Sequence, residues 1–130
     1  SQPLHADFLF RLNKVLPPDI AVYEIIPVAD NQHARFDAIQ RQYDYFMHTY
    51  KDPFLNPVST LLEPRPWQVD KMKQAVTLLT RYDDYRAFCK SPNIYQHTRC
   101  RITAANLWMN ATGDRLRFQI SADRFLGRMV

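Results

Sequence analysis

An α+β fold, a largely antiparallel sheet with helices on one face, is what this sequence predicts. Three observations carry the expectation. Residues 68–81 repeat apolar side chains at helical spacing, with Val69, Met72, Val76 and Leu79 on one stripe and Asp70, Lys71, Lys73 and Gln74 facing water. Residues 39–50 and 115–122 alternate with the period of two that marks a strand. Gly113-Asp114 separates two alternating runs, as a hairpin turn does. No repeat, low-complexity stretch or internal linker interrupts the 130 residues, so a single domain over 1–130 is expected.

The elements follow in order. Phe8, Leu9, Leu12, Val15 and Leu16 predict a helix over 6–16, stopped by Pro17-Pro18. The β-branched run 20–28 predicts a strand, and Asp30-Asn31 a turn. A short extended piece is expected from His33 to Phe36. In the strand over 39–50, Arg41, Tyr43, Tyr45 and Met47 share one face, and Gln42, Asp44, Phe46 and His48 the other. A loop opens at Asp52-Pro53, and Val58 to Leu62 suits a short strand, punctuated by Pro64 and Pro66. After the helix over 68–81 comes a short helical or turn segment from Asp83 to Phe88, then a loop from Ser91 to Gln96. Residues 97–109 predict a strand with Arg99, Arg101 and Thr103 on one face. In 115–122, Leu116, Phe118, Ile120 and Ala122 point inward and Arg115, Arg117, Gln119 and Ser121 outward. A helix is expected to begin near Phe125.

Composition excludes several functions. Only two glycines, Gly113 and Gly127, are present, where average usage gives about nine. No phosphate-binding P-loop, dinucleotide fingerprint or nucleophile elbow can be written with glycines at those places. No apolar run is long enough to span a bilayer. Two cysteines, Cys89 and Cys100, in no metal or redox spacing, favour a reduced, cytoplasmic setting. With no initiator Met before Ser1 and an apolar, basic run from Phe125 to Val130, a piece of a longer protein is expected.

Charge is uneven. Residues 1–85 carry nine Lys or Arg against eleven Asp or Glu, whereas residues 86–130 carry eight basic side chains, seven of them Arg, against two acidic ones. Such a half suits either a polyanion or an ordinary solvated face. His5, His33, His48 and His97 stand without a ligand-spaced partner, so no metal site is expected. Asp83-Asp84 reads as a helix cap or turn, and Asp44 as a cross-strand partner for a basic residue. The run Arg41-x-Tyr43-x-Tyr45 fits two accounts: a guanidinium and rings that hold a phosphate and stack a base, or a core strand packed under a helix. Arg99, Arg101, Arg115 and Arg117 on two hairpin strands would likewise either track phosphates or line a plain exposed sheet face.

Several motifs stand in a telling order: Leu12-Asn13 and Leu16-Pro-Pro-Asp-Ile20, then His33-Ala-Arg-Phe36, Arg41-x-Tyr43-x-Tyr45, Asp84-Tyr-x-x-Phe88, Thr98-x-x-x-Ile102 and Phe125-Leu-x-x-Met-Val130. Together they resemble the tRNA pseudouridine synthase A (TruA-type) family over nearly the whole chain. The resemblance implies a cofactor-free isomerase that turns uridine into pseudouridine in the anticodon arm of tRNA, working in the cytoplasm as a homodimer with tRNA across both subunits. It implies that Tyr43 stacks on the extruded uridine and assists proton transfer. It further implies that Arg41 holds nearby phosphate or the catalytic Asp, and that Phe125 and Leu126 line the pocket. Arg99, Arg101, Arg115, Arg117 and Arg128 are the expected RNA-backbone contacts. The family's Gly-Arg-Thr-Asp-type segment, which carries the catalytic Asp, does not occur here. Asp7, Asp19 and Asp37 do not replace it. The chain is therefore expected to be the C-terminal half of such an enzyme and inactive alone. Gly127 departs from the larger or polar residues usual at its place. Two other readings remain open, a non-catalytic basic RNA-binding module and a structural or dimerisation domain.

Overall fold

The computed structural model describes residues 7–63 and 66–130, arranged as two compact units that divide between Asp37 and Ala38. His5, Ala6 and Pro64 lie outside the described residues. In the first unit, helix α1 spans Phe8–Val15. It ends where Leu16 turns extended ahead of the two prolines, which cannot supply ladder N–H groups. The expected strand over 20–28 does not form. β-branched residues favour an extended backbone, but a strand needs a partner ladder. Here the backbone is tied instead to the helix through one side chain: the Asn13 amide accepts from Val22 N at 2.8 Å and donates to Val22 O at 2.7 Å. Residues 33–36 are likewise not extended. Phe36 N and Asp37 N both donate to the His33 carbonyl, and Asp37 Oδ2 accepts from His33 N at 2.7 Å, closing a turn.

The second unit is built on a four-stranded mixed sheet in the order β2-β1-β4-β3, with β1 Arg41–His48, β2 Thr60–Leu61, β3 Ile102–Met109 and β4 Arg115–Ala122. Only the short β1–β2 pair is parallel; β1–β4 and β3–β4 are antiparallel. The α+β expectation, largely antiparallel, therefore holds. The β3–β4 hairpin turns at Asn110 to Asp114, where Gly113 takes φ +76° and the Asn110 carboxamide oxygen accepts from the N–H groups of Asp114 and Arg115.

Helix α2, Val69–Leu78, continues as a 3-10 turn to Arg81 and packs on β3. Val69, Met72, Val76 and Leu79 are its half-buried stripe, as the spacing predicts. Tyr85, buried to 2% exposure, donates its hydroxyl to the Leu79 carbonyl and so fixes the end of this segment. Around it the core gathers Cys89, Cys100, Ile102, Ile120, Ala122 and Leu126. Burying each of the larger apolar side chains is worth about 2 kcal/mol.

Two more boundaries differ from the sequence reading. Strand β3 begins at Ile102, not at residue 97, because residues 98–100 pair with Asp83–Tyr85: Tyr85 N donates to Thr98 O and Cys100 N to Asp83 O. No helix begins near Phe125. That segment is pinned as irregular chain by buried Leu126, by Lys90 N donating to Gly127 O, and by Gly127 N donating to the Tyr95 hydroxyl at 2.9 Å. A Cβ at Gly127 would meet that hydroxyl at 3.0 Å, which accounts for the small residue there. Ser121, expected outward, is buried and donates to the Gln42 side chain at 3.1 Å.

Candidate functional site

Antiparallel register places Arg41 opposite Ala122 and Tyr43 opposite Ile120. Cross-strand partners share a face, so Arg41, Tyr43, Tyr45 and Met47 lie on the core side of the sheet. Helix α2 packs on β3, two strands away from β1, and Tyr43 and Tyr45 keep 49% and 46% of their surface exposed. The run is thus neither buried under the helix nor turned away from the core face.

The chain leaving β4 crosses this end of β1. Arg41 Nη1 donates to the carbonyl of Asp123 at 2.8 Å and to that of Ala38 at 3.3 Å. Phe125 meets the Tyr43 ring edge-on, with centroids 5.2 Å apart and planes at 74°. Leu126, 3% exposed, anchors the segment in the core. Arg41, Tyr43 and Phe125 are therefore brought together, with Leu126 beneath as support. The arrangement offers a half-exposed aromatic ring braced from its edge, a surface on which a nucleobase can stack.

The five arginines expected on RNA do not form one hairpin face, because Arg99 and Arg101 precede β3. Arg101 lies at the Asp123 end: its N–H donates to Asp123 Oδ1 at 2.8 Å. Arg99 faces Asp83 at 3.9 Å, with its side chain 74% exposed. Arg128 is exposed, with φ +60°. Arg117 sits across from Trp108, seven positions along from Arg101, about 20 Å at strand rise. On the face opposite Tyr43, Arg117 Nε bonds Asp44 Oδ1 at 2.7 Å, with the guanidinium 5.2 Å from the Trp108 ring centre and 5.9 Å from that of Phe46. Arg117 holds the Asp44 carboxyl below its usual range, and Asp44 in turn raises the guanidinium. Arg115 donates to the Tyr50 hydroxyl at 2.7 Å.

Asp44 thus has its basic cross-strand partner. Asp84 closes a turn, accepting from Arg86 N at 3.0 Å and from the Thr98 hydroxyl at 2.6 Å; those bonds lower its pKa. Among the described residues, no three His, Cys, Asp or Glu side chains gather as metal ligands. Cys89 and Cys100 are free and buried, and burial pushes the Cys100 thiol up. Among the described residues, no helix is long and apolar enough to cross a membrane.

Sequence reasoning missed Asp123 and Arg124. Asp123 Oδ1 accepts from the N–H of both Arg101 and Arg124, and Arg124 lies over Tyr95 at 5.8 Å and against His97 at 3.4 Å. Only the Phe125-Leu126 motif beside them pointed to the place.

No family model matches the chain. It is 42% identical over 120 residues to tRNA pseudouridine synthase A of Porphyromonas gingivalis, covering 92% of this chain and 47% of that protein. It is 43% identical over 120 residues to the protein of the same name from Azobacteroides pseudotrichonymphae, with the same coverage of 92% and 47%. The protein of that name from Bacteroides fragilis is 36% identical over 130 residues, covering 99% of this chain and 51% of that protein. The chain spans about half the length of the curated relatives it matches. Over nearly all of its residues, this chain is thus similar to proteins named tRNA pseudouridine synthase A.

Proposed function

We propose that this chain is the C-terminal half of a cytoplasmic, homodimeric tRNA pseudouridine synthase that acts on the anticodon arm without a cofactor. The convergence of Arg41, Tyr43 and Phe125 at one end of β1 carries the reading. In the reaction, the bond from uracil N1 to the ribose C1′ breaks, the base turns, and C5 bonds to C1′. C5 then loses its proton and N1 gains one, so the change is an isomerisation. The uridine must first leave its stack, at a cost of a few kcal/mol. Tyr43 returns part of that cost by stacking, worth about 1–3 kcal/mol per base, and its hydroxyl assists proton transfer. Phe125 keeps the tyrosine ring upright. Arg41 is a positioning residue: through the Asp123 carbonyl it holds the segment that carries Phe125. On this reading the catalytic Asp comes from the family's Gly-Arg-Thr-Asp-type segment, which does not occur in this sequence. Arg99, Arg101, Arg115, Arg117 and Arg128 contact the RNA backbone on the same reading.

The test is tritium release from tRNA labelled at uracil C5, using the whole enzyme. Tyr43→Ala is expected to lower kcat by about tenfold or more while tRNA affinity changes little, since stacking acts on the extruded base. An unchanged rate refutes the role of Tyr43. The concentration of basic residues in 86–130 favours a second reading, a non-catalytic RNA-binding module. Reading the gene on both sides separates the two. An in-frame Gly-Arg-Thr-Asp run upstream and an Arg after Val130 support the enzyme; a start codon immediately before Ser1 and a stop after Val130 support the module.

A further inference from the structure

Where the chain leaving β4 meets the starts of β1 and β3 lies a polar cleft of about 280 Å³, lined by Ile39, Gln40, Arg101, Thr103 and Asp123. It contains no aromatic side chain, so it has no surface for stacking a base. Its volume falls at or below the roughly 300–1,000 Å³ of sites for drug-sized ligands, which suits one unit of a polymer backbone. Two charged groups of opposite sign face it. Among the described residues, no hydrogen bond or ion pair engages the Arg101 guanidinium, whose N–H fork matches a phosphate in two places. The Asp123 carboxylate is fixed by its Oδ1, which accepts from Arg101 N at 2.8 Å and Arg124 N at 2.7 Å. Its Oδ2 keeps its acceptor capacity. A carboxylate beside the cation disfavours a bare phosphate site. A sugar hydroxyl that donates to Oδ2 while the adjoining phosphate bonds Arg101 satisfies both groups at once.

We propose that this cleft seats one ribose–phosphate unit of RNA adjoining the target nucleotide, with Arg101 binding the phosphate and Asp123 accepting the 2′-hydroxyl. The 2′-hydroxyl is what separates RNA from DNA at a given position, so the cleft reads RNA identity without reading sequence. Its placement follows from one short segment. The Asp123 carbonyl is held by Arg41, and Phe125, two residues on, touches Tyr43. Two residues span at most about 7 Å, which puts the cleft and Tyr43 at the same end of β1, as adjoining nucleotides require. The inference rests on the proposed synthase reading.

The experiment uses the whole enzyme and anticodon-arm RNA carrying a single 2′-deoxy substitution on one or the other side of the target uridine. Binding is measured at several salt concentrations, and turnover by tritium release. Arg101→Gln is expected to raise Kd about tenfold or more, the worth of a charge-assisted hydrogen bond, and to reduce the salt slope by about one. Arg101→Lys is expected to restore the slope and only part of the affinity. With the wild-type enzyme, one of the two deoxy substrates binds several-fold more weakly than the all-ribose RNA. With Asp123→Asn, which keeps an oxygen for the two N–H groups but replaces Oδ2 with a donor, that difference disappears. Unchanged affinity and slope in Arg101→Gln, or a deoxy penalty equal in Asp123→Asn and wild type, overturns the proposal. Absence of turnover by the wild-type enzyme overturns the synthase reading instead, and the binding measurements still decide the cleft.

Discussion

A half-exposed tyrosine braced by a phenylalanine can serve a base in two ways, and Tyr43 allows them to be separated. Tyr43→Phe keeps the ring and its edge contact with Phe125 but removes the hydroxyl. If stacking is the main contribution, it retains most of the binding of the extruded base. If the hydroxyl also moves a proton, kcat falls while KM holds. Single-turnover tritium release across pH checks this, with Tyr43→Ala as the reference that loses both. The motif Arg41-x-Tyr43-x-Tyr45 made Tyr43 legible in the sequence. The partners of Arg41 were not legible. Its bond to the Asp123 carbonyl joins residues 82 apart in the chain, and only register brings them together. Arg117 shows the same limit. Alternation put it outward, but the bond to Asp44 and the rings of Trp108 and Phe46 depend on which strand lies beside which.

At the scale of elements, local pattern decided what tertiary pairing did not override. Helix α2 and strand β4 follow their apolar periods, because α2 sets its half-buried stripe towards β3 and β4 buries one face in the core. Residues 20–28 have equally strong strand character, yet no ladder partner takes them up, and the Asn13 side chain holds Val22 instead. The Phe125 segment fails as a helix because Tyr95, 32 residues away, accepts from its backbone. The hairpin turn permits a direct check. Gly113 sits at φ +76° with open space around its would-be Cβ, so Gly113→Ala strains only the backbone. It is expected to cost about 1 kcal/mol, measured by urea unfolding. An unchanged midpoint would mean that the turn relaxes. Three carboxylates give the elements a pH dependence. Asp44, Asp84 and Asp114 are held low, chiefly by hydrogen bonds from Arg117, Thr98 and Thr112 respectively. A depressed folded-state pKa contributes stability above the unfolded value and loses it as pH falls through the folded one. Thermal stability is therefore expected to stay flat from neutral pH down to the ordinary aspartate range and to drop below it. Asp44→Asn flattens part of that drop. A melting temperature that rises on acidification would contradict the assignment.

For the molecule as a whole, the concentration of arginines after residue 85 has a direct consequence. Each side chain that neutralises a phosphate releases counterions, so log affinity for tRNA falls linearly with log salt. A titration of tRNA at two salt concentrations is expected to show that fall; salt-independent binding would favour a structural or dimerisation domain. Composition exposed the charge imbalance, and the order of motifs exposed the resemblance to tRNA pseudouridine synthase A. Neither could show that Arg99 and Arg101 stand at one end of the sheet while Arg115 and Arg117 lie on its far face, since that division depends on where β3 begins.

If this chain supplies the stacking half of a pseudouridine synthase, as proposed, the catalytic carboxylate lies elsewhere in the protein. Tritium release from tRNA labelled at uracil C5, compared between the whole protein and these 130 residues, tests it most directly. Release is expected from the whole protein and none from the 130 residues alone. Release by the 130 residues, or none by the whole protein, would contradict it.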